Sequence, residues 1–512
     1  MVFFVISLIG YVPAEAQLSV SEFDKYVGVV MKEFEVPGLC VTIVKDGKVI
    51  LVKGYGVKKL GENSVVDERT LFNIASNTKA FTATALAMLV EEGKLAWDAP
   101  VIKYLPWFRL ADPCVTQELT VKDLLVHRSG LGLGAGDLLW WPTSAYTRRE
   151  IAARLQFIPL ETSFRSMYAY DNVLYLVAGE VIEAVTDTSW EEFVASRLLK
   201  PLGMTGSKTR LSEILTNSNV AAPHAKIDGS VRPVTAFTGD NSNPAAGVLS
   251  NAIDMAKWMI VQLDSGRLSD VSRLFSRNST RQLWTEVTPI PISEPPPGLS
   301  RLRSNFNGYA LGFGVRDYRG RKVISHTGAM PGYLSRVTML PEDKLGIAVL
   351  TNQESGNAFN AVTYYVIDRY LKAGAFDWVA ALKKLELRAD TMTEAEQRSR
   401  ETARDTTSRP SLPIAKYMGT YRDDWYGDIV MALESGKPTI KFSHTPSLTG
   451  ELAHWQYDTF IARWYDRELR ADAYVTFALN PDGSIDQVKM QAVSSATDFS
   501  FDFHDLLLKP VR

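Results

Sequence analysis

The chain predicts a mixed α+β fold: an antiparallel sheet flanked by helices, a helical lobe set between its strands, and a small all-β domain at the C-terminal end. Three observations carry this. β-branched runs stand near the start and return after residue 300, helix-patterned sequence fills the interval, and short alternating runs take over beyond Ile414. Strands that return after an excursion into helices are expected to join one sheet, with a crevice where sheet and lobe meet.

In chain order, Val2 to Val12 is an apolar run too short to span a bilayer, followed by Ala14-Glu15-Ala16, small residues around a cleavage point. It reads as a signal for export, although no Lys or Arg precedes it; if retained, it would act as an anchor. Pro37 to Val57 gives two β-branched runs joined by Asp46-Gly47, a hairpin signal. Leu71 to Ala75 is strand-like and passes into the helical pattern Ala80 to Leu95. Pro100 to Glu192 is helix-rich, and its Gly130 to Gly136 run follows helix-like sequence, which excludes a dinucleotide-binding loop. Strands are expected at Leu311 to Arg316, Val323 to His326, Ser335 to Leu340 and Leu345 to Thr351, then a helix at Thr363 to Ala373. Leu382 to Arg404 is charged and reads as a solvated helix or linker; DTTSRPSLP, Asp405 to Pro413, is a boundary by composition. The expected parts are residues 1–16, a signal; 17–385, the main domain; 386–412, a charged linker; and 413–512, an all-β domain. In the last, Tyr417, Tyr421, Trp425, Trp455, Trp464 and Tyr465 are read as core.

Composition narrows the function. With 512 residues, 46% hydrophobic and 22% charged, the chain can build a large core. Its net charge of -2 is spread without a basic block, so no nucleic-acid footprint appears and small-molecule or peptide partners are favoured. Two cysteines, Cys40 and Cys114, define neither a disulfide framework nor a zinc site and are read as buried small residues; six histidines lack ligand spacing. Neither metal nor cofactor is expected.

The chemistry lies in three short motifs. Ser76-Asn77-Thr78-Lys79 falls at a helix start, where residues three apart share a face and the free N–H groups of the first turn face a developing oxyanion. Tyr170-Asp171-Asn172 opens a second helical pattern, Val173 to Val185, and His326-Thr327-Gly328 ends a strand-like run. Each is unremarkable alone.

Together, with FNIASNTKAFTATALAMLVEEGKL, LLVHRSGL, PAAGVLSNAIDMAKWM and SHTGAMPGYLS around them, their order and spacing resemble the penicillin-recognising serine hydrolases: class C β-lactamases, DD-peptidases, D-aminopeptidases and related esterases. The resemblance covers roughly residues 20 to 375, and the tail resembles a β-domain appended to bacterial members. It implies Ser76 as nucleophile, Lys79 as its base and Tyr170 as the second proton-transfer group. Asn172 would orient Lys79 and meet a substrate amide. His326, Thr327 and Gly328 would line the substrate strand, with the Ala329 and Ser76 N–H groups as oxyanion hole. His326 stands where many β-lactamases carry lysine, which weakens attraction for a substrate carboxylate. The expectation is therefore an exported enzyme, periplasmic or secreted, cleaving a peptide, D-aminoacyl or small ester bond, with association at a cell wall or membrane surface compatible with it. A class C-like β-lactamase and a catalytically inactive binding or scaffold protein are the alternatives, and Trp140-Trp141 are candidates to line the cleft.

Overall fold

The computed structural model describes residues 19–511; the expected signal at the N-terminus lies outside them. The two groups of strands join. After α1 (Val20–Glu33) come β1 (Gly38–Lys45) and β2 (Lys48–Gly56), turned at Asp46 and Gly47, both with positive φ as a two-residue hairpin turn requires. The chain then leaves for the lobe, whose long helices are α2 (Thr78–Glu91) and α3 (Val173–Thr186), and returns through α4 (Ala252–Leu263). Six further strands follow: β3 (Thr288–Pro289), β4 (Asn307–Tyr309), β5 (Gly314–Tyr318), β6 (Arg321–Met330), β7 (Tyr333–Leu340) and β8 (Leu345–Thr351). The sheet order is β2-β1-β8-β7-β6-β5-β4-β3, antiparallel throughout, with Val41 opposite Val349 and Gly328 opposite Ser335.

Both faces of the sheet are covered, which is why β1 and β8 are apolar along nearly their whole length. On one face lie α1, α5 (Gly356–Tyr370) and the start of α6 (Trp378–Ala403), with Phe23, Val27, Val362 and Trp378 buried among them. On the other, α4 packs on β1 and β8. Helix α2 is buried on every side from Thr78 to Leu89, so it forms the axis on which lobe and sheet are assembled.

Some boundaries differ from expectation. The strand expected from Leu311 begins at Gly314, because Gly312 turns there at φ 78°, where a Cβ would stand 2.7 Å from the Lys79 carbonyl. The helix expected from Thr363 starts at Gly356, capped by the Ser355 side chain. Cys114 is exposed rather than buried, since Asp112 caps a short surface helix there; Cys40 is buried and free.

The charged stretch is helical to Ala403: α6 buries only Trp378, Val379 and Leu382, and its remainder carries pairs such as Glu394–Arg398. Beyond it, β9 (Gly419–Asp423), β10 (Gly427–Glu434), β11 (Lys437–Phe442), β12 (Thr449–Gln456), β13 (Thr459–Trp464), β14 (Ala473–Leu479), β15 (Ile485–Ala492) and β16 (Leu507–Pro510) close into an eight-stranded barrel, sealed where Tyr421 pairs with Pro510. Tyr417, Tyr421, Trp425 and Trp464 are its core, but Tyr465 is exposed and Trp455 half-buried under Arg404. The barrel docks on the lobe: Ala145 donates to the His444 carbonyl at 2.8 Å, Arg154 to that of Trp425 at 2.9 Å, and the Tyr146 ring stacks on His444.

Candidate active site

The Ser76 turn is built by its neighbours. Phe72–Asn73 pairs with Leu249–Ser250, and the Asn73 side chain accepts the Ala75 N–H at 2.7 Å. This holds Ala75 at φ 45°, a conformation that strains a non-glycine residue by about 1–2 kcal/mol and places Ser76 on a single 3₁₀ turn ahead of α2. One helical turn on, Lys79 lies on the same face. Its Nζ donates to Ser76 Oγ at 3.0 Å, to Asn172 Oδ1 at 2.7 Å and to the Ala245 carbonyl at 3.2 Å. Burial lowers its pKa to about 7, opposed by the carboxyl groups of Asp137 and Asp171.

The start of α3 supplies the second group. Asn172 precedes the helix but does not cap it, so its amide is free to work sideways: Oδ1 accepts from Lys79 and Nδ2 donates to Asp137 Oδ2 at 2.8 Å. Tyr170 lines the same cleft as Ser76, and its ring centre lies 4.9 Å from Lys79 Nζ. Burial pushes this phenol well above its ordinary pKa, so it stays protonated. His127 lies against the Tyr170 ring at 4.2 Å and accepts the Asp171 N–H on Nδ1. Burial and the nearby Lys79 keep it neutral.

The third wall is the free edge of β6. Strand β5 pairs with β6 only as far as Ser325, so His326 to Met330 present an edge without a strand partner to the Ser76 turn. Gly328 passes against the Ile74 carbonyl; Ser335 Oγ donates to that same oxygen at 2.7 Å and accepts from Asn77 Nδ2 at 2.8 Å. The Thr327 and Ala329 side chains are exposed, whereas His326 is buried. His326 Nδ1 meets the Thr327 carbonyl at 2.6 Å, and a carbonyl only accepts, so the proton sits on Nδ1 and Nε2 accepts the Tyr309 hydroxyl at 2.7 Å. Burial, aided by Lys79, holds its pKa down to about 3, so the ring is uncharged.

These groups face a cleft of about 400 Å³, lined also by Trp140, Trp141 and Phe499. Among the described residues lining it, Arg316 is the one cation, and its guanidinium is bonded to Tyr364 on α5. A second, larger chamber of about 770 Å³ adjoins the first through Trp141, Ala329, Met330 and Asp498. The structure thus brings all eight sequence-expected residues together. Asp137, Tyr309, Phe499 and Ser500 were outside that expectation; only Asp137, an acid inside the apolar run GAGDLLWW, carried a signal. Among the described residues, one grouping could share an ion: Glu161, His504 and Asp505, largely exposed and not among the residues lining the cleft.

A family model described as Beta-lactamase matches residues 23–372, and one described as a domain of unknown function, DUF3471, matches residues 403–510. The unguisins hydrolase of Aspergillus campestris is 28% identical over 451 residues, 84% of this chain and 80% of that relative. Among solved structures, the octameric penicillin-binding protein homologue from Pyrococcus abyssi superposes with a TM-score of 0.60 at 22% identity, covering 92% of this chain and 98% of that one. The D-amino acid amidase from Ochrobactrum anthropi gives 0.55 at 22% identity, covering 69% and 98%.

Proposed function

Since the chain belongs to the Beta-lactamase family, we propose that it is a serine hydrolase that opens an amide or ester bond through a covalent acyl-enzyme on Ser76. The observation that carries this reading is the Lys79 amine, buried, 3.0 Å from Ser76 Oγ and held there by Asn172. A buried amine with a pKa near 7 is substantially neutral at neutral pH and can take the serine proton as Oγ attacks the carbonyl carbon. The negative charge that develops on the carbonyl oxygen falls to the Ser76 and Ala329 N–H groups, an arrangement of the kind that typically contributes several kcal/mol. Tyr170, a neutral phenol beside Ser76, protonates the departing amine or alkoxide; the reverse transfers then activate water to release the acyl group.

The substrate class follows from charge and shape. A neutral His326 puts no charge where a lysine would meet a substrate carboxylate, and Arg316, the one cation among the described residues lining the cleft, is turned to Tyr364, so a neutral peptide, D-aminoacyl or ester substrate is favoured over a carboxylated β-lactam. Trp140, Trp141 and Phe499 suit an apolar acyl group. The D-amino acid amidase with this fold and the hydrolase among the relatives are in keeping with amide cleavage. Export remains part of the proposal, on the N-terminal apolar run alone.

Labelling with a fluorophosphonate, followed by mass spectrometry of the adduct, tests the reading. The adduct is expected on Ser76 and is expected to vanish in Ser76→Ala. Undiminished labelling of that variant would place the nucleophile elsewhere, and no labelling or turnover of any ester or amide would return the protein to a binding role.

A further inference from the structure

The polar chain that begins at Ser76 does not end in the sheet or the lobe. Asp137, fully buried in the lobe, accepts three hydrogen bonds: from Asn172 Nδ2 at 2.8 Å, from the Trp140 indole at 2.8 Å, and from Ser500 Oγ at 2.8 Å. Ser500 belongs to the barrel, on the segment between β15 and β16. Two residues later, Asp502 accepts the N–H groups of Gly136 and Leu138, on either side of Asp137, at 2.7 and 3.0 Å. Phe499, on the same segment, fills the space over Gly134, where a Cβ would stand 2.7 Å from its ring, and enters the cleft edge-on to Tyr170. An unbroken sequence of side-chain hydrogen bonds therefore runs from Ser500 through Asp137, Asn172 and Lys79 to Ser76.

The order of donors and acceptors gives this chain a direction. An ionised carboxylate only accepts, so Asp137 fixes the amide of Asn172 with its NH₂ toward the carboxylate and its oxygen toward Lys79. A third donor, the Ser500 hydroxyl, helps Asp137 stay ionised in a site where burial favours the neutral acid. We propose that the C-terminal barrel is a working part of the catalytic centre, with the Ser500 hydroxyl acting through Asp137 and Asn172 as a positioning group for the Lys79 amine. This rests on the acyl-enzyme reading above and assigns a role to the segment that the family model for a domain of unknown function matches.

The acid limb of the acylation profile is the readout, since a residue that merely supports the fold has no reason to move it. The groups facing Lys79 are Asp137, Asp171, Tyr170, Tyr175, His127 and His326; of these, Asp137 alone is bonded to the barrel residue Ser500. Removing the Asp137 charge lowers the Lys79 pKa, so the acid limb moves to lower pH. The experiment measures the second-order rate of fluorophosphonate labelling against pH for the full chain, Ser500→Ala, Asp137→Asn and Ser76→Ala. Ser500→Ala, a loss of one oxygen, is expected to shift the limb down by about half a pH unit or more and to slow labelling roughly tenfold. Asp137→Asn should shift it further in the same direction. If both variants keep the parent's limb, whatever happens to the rate, the positioning role is wrong while the acyl-enzyme reading stands. Undiminished labelling of Ser76→Ala would instead remove the reading on which the proposal rests.

Discussion

Gly328 runs so close to the carbonyl of Ile74 that a Cβ on it would stand 2.1 Å from that oxygen. The contact joins the substrate-facing edge of β6 to the residue two before Ser76, and no flexible side chain is available to give way. Gly328→Ala must push the strand from the nucleophile turn, widening the gap between the Ala329 and Ser76 N–H groups. Because misplacing an oxyanion donor costs about 10²–10³ in rate, kcat is expected to fall by roughly 100-fold. A variant with parental kcat would show that the edge of β6 plays no part in the chemistry.

The buried Lys79 makes activity depend on pH in one direction. Its ammonium cannot accept the Ser76 proton, and its pKa lies near 7, so acylation should rise with pH through a limb near neutrality and level off above it. The sign follows from burial, which disfavours the charged form; an ordinary exposed lysine would place the limb above pH 10. Lys79→Arg keeps a permanent charge at this position and should lower acylation by at least about 10³-fold at every pH. A flat profile between pH 5 and 9 would exclude Lys79 as the base.

His326 bears on selectivity. With its proton on Nδ1 and Nε2 accepting from Tyr309, the ring adds no charge to the cleft above about pH 5, given a pKa near 3. At pH 8, above the Lys79 pKa of about 7, neutral esters and amides should therefore be turned over with kcat/KM at least about tenfold above matched substrates bearing a carboxylate at the leaving side. His326→Lys is expected to narrow that ratio. Faster turnover of nitrocefin than of every neutral ester by the parent enzyme would contradict this role of an uncharged His326.

What could be seen in the sequence was whatever short-range chemistry dictates. The hairpin at Asp46-Gly47, the helix starts carrying Ser76 and Asn172, and the strand ending at His326 are each set by neighbours within a few residues, and the family resemblance placed them in one cleft. Tyr309 and Ser500 carry no signal in the sequence for the opposite reason, and Asp137 shows there only as an acid within an apolar run. Ser500 lies 363 positions from Asp137, and its sequence surroundings are those of any surface loop. Aromatic content did foretell the barrel core, but it could not separate Tyr417, which points inward, from Tyr465, which faces solvent. The start of α5 was hidden because Ser355-Gly356-Asn357 has turn composition, although Ser355 serves as a cap.

Asp502 ties the barrel to the lobe. Its two oxygens accept the N–H groups of Gly136 and Leu138, which have no other acceptor within the short turn that carries Asp137. Asp502→Ala would leave both donors buried and unpaired, at about 1–3 kcal/mol each. Equilibrium unfolding in denaturant should therefore show a stability loss of about 2–4 kcal/mol after allowance for relaxation. Because the same turn presents Asp137 to Asn172, activity measured well below the unfolding midpoint should fall as well. A variant with lowered stability but parental turnover would separate the barrel's structural contact from the chemistry at Ser76.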